Sequence, residues 1–115
     1  MAERCAYFVG DLSAMVDRGW HPATDVYRAR DGWLIKIDLA GVRASDVRVA
    51  ISDRRLIVTG ERRDWLASEG HHPYSMEIVY DRFERVVEFP CALNEPQMEV
   101  EYRDGLLLVA IRCQS

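Results

Sequence analysis

The chain lacks any apolar run long enough to cross a membrane as a helix, and Glu3, Arg4 and Asp11 charge its first residues. Its N-terminus is therefore expected to be neither a signal peptide nor a transmembrane span. Cysteine is scarce: Cys5, Cys91 and Cys113 lie far apart with no C-x-x-C pair. An odd, scattered set supplies neither a disulfide framework nor a zinc pattern, so a reducing cytoplasm is the expected location. Basic residues are too few for a polyanion binder. Lysine and arginine number 15 against 19 acidic residues, for a net charge of -4, which argues against a general nucleic-acid or anionic-membrane partner. Arg54-Arg55 and Arg62-Arg63 are expected to be solvated turn and strand-end residues.

Catalytic signatures are missing too. There is no G-x-S-x-G elbow, phosphate-binding Gly-Lys loop, dinucleotide fingerprint or H-E-x-x-H. His71-His72 offers two imidazoles, but neighbours in an extended chain point apart, and no Cys or carboxylate stands at a helpful spacing. Cys91 has no local His partner, and Glu84 and Glu88 read as solvated residues on one strand. No cofactor, metal or enzymatic activity is expected.

What the chain does have is alternation. At 115 residues, 49% hydrophobic and 30% charged, it makes one domain with a real core. In Tyr80 to Pro90, Phe83, Arg85, Val87 and Phe89 share one side of an extended chain, with Glu84, Val86 and Glu88 on the other. Arg85 therefore stands among inward-pointing residues. It is expected to be an ion-pair node, because an unpaired charge in a low-dielectric interior is very unfavourable.

Residues 1–20 differ from the rest. Tyr7, Phe8, Leu12, Met15 and Val16 recur at helical spacing, as in a short amphipathic arm ending near Gly19. The arm either lies on its own domain or binds something else. From His21 the period is two. Strands are expected over 25–30, 33–39, 47–52, 56–59 (stopped by Gly60), 75–80 leading into the stretch that ends at Pro90, 98–103 and 106–111. Asp31-Gly32 and Asp104-Gly105 mark hairpins. Arg62 to Tyr74 is the one long connection, and its Trp65 and Leu66 make a plain solvated loop a poor description. About seven short strands with no long helix after residue 20 predict an antiparallel β-sandwich.

These segments together resemble the α-crystallin domain of the small heat-shock proteins, of bacterial type. The matching words are Pro22-Ala-Thr-Asp-Val-Tyr27, Ile37-Asp-Leu-Ala-Gly-Val42, Leu56-Ile-Val-Thr-Gly-Glu-Arg62, Glu77-Ile-Val-Tyr80, Phe83-Glu-Arg85 through Phe89-Pro90, and Tyr102-Arg-Asp-Gly-Leu-Leu-Leu-Val109. The resemblance spans residues 21–113, leaving 1–20 as an N-terminal arm and 114–115 as a residual tail. It implies an immunoglobulin-like β-sandwich that dimerises and holds unfolding proteins without ATP. It also implies an extra strand in the long loop, exchanged with a partner, so Trp65, Leu66, Tyr74, Met76 and Arg85 are the interface candidates. An apolar groove is implied between the strands carrying Val47, Val49 and Ile51 and those carrying Met98, Val100 and Tyr102. Ala40 replaces the usual proline of its word, and Asp81 a usual glycine. The family's C-terminal Ile-x-Ile motif has no counterpart after Cys113.

The function implied is an ATP-independent chaperone, a holdase. Partly unfolded clients would bind the arm (Tyr7, Phe8, Leu12, Met15, Val16) and the groove (Val47, Val49, Ile51, Met98, Val100). Self-association to a homodimer or small oligomer is expected. Two alternatives stay open: an adaptor sandwich binding one folded partner, and a subunit that co-assembles with a longer small heat-shock protein.

Overall fold

The alternating segments fold as seven antiparallel strands among residues 19–113, the part of the chain described by the computed structural model. They are β1 (Thr24–Ala29), β2 (Gly32–Asp38), β3 (Val47–Ser52), β4 (Arg55–Glu61), β5 (Arg82–Glu88), β6 (Gln97–Arg103) and β7 (Leu106–Arg112). One sheet has the order β1-β2-β7-β6 and the other β3-β4-β5. The predicted all-β sandwich is what forms. Tight turns set the registers: Asp104 and Gly105 both hold positive φ, 54° and 80°, as a two-residue hairpin matched to strand twist requires.

Register fixes the core. Ile35 faces Val109 and Ile37 faces Leu107 across β2 and β7, while Leu56 faces Val87 across β4 and β5. All six side chains, with Val58, Phe83, Phe89 and Ile111, are buried in one cluster. Each contributes about 1.5–3 kcal/mol relative to exposure. Between β2 and β3 a single 3-10 turn (Ala44–Asp46) closes one end of the sandwich. The Tyr102 hydroxyl lies 2.6 Å from the carbonyl oxygens of both Leu39 and Val42, pinning this connection to β6. Burial raises the Tyr102 pKa, against the lowering effect of its bond to Val42.

Two expectations need correction. Gly60 does not stop its strand but lies inside β4. A Cβ there would overlap the Asp46 carbonyl oxygen and meet the Phe83 ring at 2.7 Å, so glycine marks a close approach rather than a break. Gly60→Ala should lower stability by about 1–3 kcal/mol, the usual cost of overpacking. A shifted denaturant midpoint at unchanged m-value would register it.

Residues 75–80 alternate in sequence but form no strand. Backbone donors and acceptors make a strand only where another strand takes them. At the start of β5 that place is filled: the Trp20 N–H donates to the Arg82 carbonyl at 3.1 Å, and Trp20 bridges Phe83 in parallel. Only three residues separate Trp20 from β1, so the β1 and β5 edges lie on the same side of the sandwich.

Candidate interaction surfaces

The connection from Arg62 to Asp81 has structure of its own. Its centre is a one-turn helix, α1 (Trp65–Ser68), whose N-cap Asp64 accepts the Leu66 N–H at 3.1 Å. Gly70, at φ 90°, lets the chain turn back. The His71 N–H and its ring Nδ1 then both reach the Leu66 carbonyl, at 3.2 and 2.9 Å. His71 is thereby a helix-closing residue; His72 stands exposed beside it.

Arg62 holds this connection to the sandwich, and the expectation of a solvated arginine there is corrected. Its guanidinium lies 3.7 Å from the Trp20 ring centroid. Its Nε donates to the Val79 carbonyl at 2.8 Å and its Nη1 to the Ala40 carbonyl at 3.1 Å. A planar fork can stack and donate in two directions, whereas an ammonium cannot. Arg62→Lys should therefore speed proteolytic cleavage of residues 71–80 severalfold while leaving the global melting transition in place; an unchanged cleavage rate contradicts the anchor.

Beyond the anchor, apolar side chains stand in solvent. Trp65, Leu66, Tyr74, Met76, Ile78, Val79 and Tyr80 are all exposed, Tyr74 completely. So many apolar groups in one connection is unusual for a free surface. On β1, Val26 shares the inner face with Ile35 by register, yet keeps 45% of its surface open because β1 is an edge strand. Ile78, Val79 and Val26 join the interface candidates from sequence. Val26 carries a signal in the alternation of Thr24, Val26 and Arg28, but only edge position reveals that it is uncovered.

Arg85 does point inward, opposite buried Val58. The ion pair expected of it is not made within the fold described. Among the described residues no carboxylate pairs with it, and its Nε is buried without a hydrogen-bond partner. The inner face around it is built of apolar residues, so the core formed by the described residues offers no acceptor.

At the opposite edges, β3 and β6 border the two sheets. Val47, Ile51, Met98 and Tyr102 are partly buried against the common core. Val49 is only 3% exposed and belongs to the core itself, whereas Val100 is 44% exposed. The accessible lining of a groove here therefore reduces to Val47, Ile51, Met98 and Val100. Tyr7, Phe8, Leu12, Met15 and Val16 lie outside the described residues.

The outer face of β3-β4-β5 carries a mixed-charge hollow with Asp46, Glu61, Arg63, Arg82 and Glu84 on its walls. Arg63 pairs with Asp46 at 3.2 Å and with Glu61 at 3.4 Å. Glu84 is held above the ordinary glutamate range by burial. Its folded form thus binds a proton more tightly than its unfolded form. Stability from this group is present below the ordinary glutamate range and is lost as pH rises through the raised value. Glu84→Gln should flatten that decline in Tm, measured by a pH series of thermal melts on both proteins.

Among the described residues no cluster of three or more His, Cys, Asp or Glu could hold a metal ion, and no helix is long and apolar enough to cross a membrane. Arg55 lies 3.8 Å from Glu88 at the far end of β4 and β5.

Comparison with known proteins places these surfaces in context. The sequence profile described as the Hsp20/alpha crystallin family matches residues 25–115. "Small heat shock protein C2" of Rickettsia felis is 19% identical over 105 residues, covering 91% of this chain and 68% of that protein. "Heat shock protein 16" of Schizosaccharomyces pombe is 28% identical over 93 residues, covering 78% of this chain and 64% of that one. Among solved structures, "Heat shock protein 16.0" of S. pombe superposes with a TM-score of 0.73 at 26% identity, covering 82% of this chain and 87% of the other. "HSP18.5 from E. histolytica" gives 0.71 at 24% identity, with 84% and 90% covered.

Proposed function

Because the chain belongs to the Hsp20/alpha crystallin family, we propose that it is an ATP-independent holdase of the cytoplasm, acting as a dimer or small oligomer. The observation that carries this reading is the connection from Trp65 to Tyr80. It displays seven exposed apolar residues, is fastened to the sandwich by Arg62, and pairs with no strand among the described residues. A segment with strand alternation and no partner is completed by the open edge of a second copy, and β1 is such an edge. Trp65, Leu66, Tyr74 and Met76, joined by Val26 and Arg85, form the proposed dimer interface.

Clients are proposed to bind elsewhere, along the edge strands β3 and β6 and on the arm before residue 20. Val47, Ile51, Met98 and Val100 offer shallow apolar contact, and two edge strands offer free backbone groups. Both suit extended, partly unfolded chains of varied sequence rather than one folded surface. Residues 1–20 act as the arm and 21–113 as the working domain in this reading.

The test is light scattering from a heat-denatured model client, without nucleotide, with and without the protein at near-equimolar ratio. Suppressed scattering is the expected outcome. Full scattering would overturn the holdase. If suppression then returned only on adding a longer family member, co-assembly would replace it; a single tight folded partner in its stead would mark an adaptor.

A further inference from the structure

Sequence spacing gives no reason to pair Cys91 with Cys113, but the fold puts both on the wall of one cavity of about 580 Å³. The cavity opens at the end of the sandwich where residues 89–96 cross from β5 to β6. Cys113 continues the pairing of β7, its N–H donating to the Asp31 carbonyl at 2.9 Å. Alternation sets its side chain on the same face as buried Ile111, and it packs against the core. Cys91 follows buried Phe89 by two residues and is exposed. Trp33 also lines the cavity and meets the Phe89 ring at 5.0 Å.

The crossing segment is tied down beyond Cys91. Leu93 is buried, and its N–H donates to the Asp53 carbonyl at 3.3 Å. A disulfide needs Cα atoms about 4.4–6.8 Å apart, and a segment outside the strands can adjust to that spacing more readily than a paired strand can. Cys91, Ala92 and Asn94 are exposed and belong to no strand, so the segment can settle inward over the cavity. Both thiols are free.

We propose that Cys91 and Cys113 form a dithiol that hydrogen peroxide oxidises to an intrachain disulfide, tying the crossing segment to the end of β7. One thiol, as thiolate, attacks a peroxide oxygen, giving a sulfenic acid and one water once the released hydroxide takes up the proton. The second sulfur displaces the sulfenic hydroxyl, forming the S–S bond and a second water. Two thiols and one peroxide thus yield one disulfide and two waters, with sulfur oxidised and peroxide oxygen reduced. A dithiol reductant reverses it. The bond would fix the segment that leads into β6. Any effect on clients rests on the holdase reading, but the disulfide does not.

The experiment uses the full chain carrying Cys5→Ser, which removes the third thiol. It is treated with hydrogen peroxide, alkylated, and analysed by intact mass, peptide mapping and non-reducing electrophoresis. The expected result is a single-chain species lacking two hydrogens, with a linked Cys91–Cys113 peptide that dithiothreitol releases. Adding Cys91→Ser, at an exposed position that leaves the core intact, should abolish the linked peptide and leave Cys113 singly oxidised or alkylated. The proposal is overturned if both thiols stay alkylatable, if each oxidises without joining, or if only links between chains appear.

Discussion

Replacing Trp65 and Tyr74 together by alanine is expected to turn the protein from a dimer into monomers at micromolar concentration. Tyr74 is wholly exposed and Trp65 half exposed, so truncating Tyr74 removes no burial within the fold and truncating Trp65 removes that of about half its surface. Aromatic anchors at the centre of an interface typically cost at least about 2 kcal/mol each when truncated. Two of them would weaken dimerisation by about a thousandfold. Sedimentation or light-scattering mass gives the answer directly. Retention of the wild-type mass would remove the exchanged loop from the account of assembly. A fall in monomer stability would show that the loop packs on its own sandwich instead.

Arg85 should respond with opposite signs in the two states. Within one chain its Nε is buried and unpartnered, so exchanging Arg85 for methionine replaces an unsatisfied polar group with an apolar one of similar length. In the monomeric double variant, Arg85→Met is expected to be neutral or to stabilise by about 1–4 kcal/mol. In the wild-type dimer, a carboxylate or carbonyl of the second copy is proposed to complete the guanidinium. There the same change should destabilise by about 3–5 kcal/mol, because the partner group is left buried and alone. Denaturant titrations of the four proteins form a cycle whose coupling reads the interaction across the interface. Equal effects in both backgrounds would place the missing acceptor within the chain rather than across the dimer.

Much of the fold is legible from alternation because a half-buried strand writes its faces at period two. Trp33, Ile35 and Ile37, or Leu107, Val109 and Ile111, could hardly face anything but a common core, and Asp104-Gly105 carries its turn in its own backbone preferences. Where alternation misleads, the cause is a missing or unforeseen neighbour. Residues 75–80 read as a strand, yet no strand among the described residues pairs with them. Gly60 reads as a terminator, yet its role comes from Asp46 and Phe83 pressing on it. Val49 reads as groove surface, yet the opposing sheet buries it. Arg62 and Arg63 look alike in the chain; only the ring of Trp20 and the carbonyls of Ala40 and Val79 separate an anchor from a surface ion pair.

Local periodicity and local backbone preference are enough to specify the sandwich, its turns, the apolar character of the long connection and the inward aim of Arg85. Only the folded arrangement settles which strands border the sheets among the described residues, that Arg85 has no partner there, and that two distant cysteines share a cavity. Those depend on contacts between segments far apart in the chain, and period and propensity carry no information about which neighbour a side chain will meet.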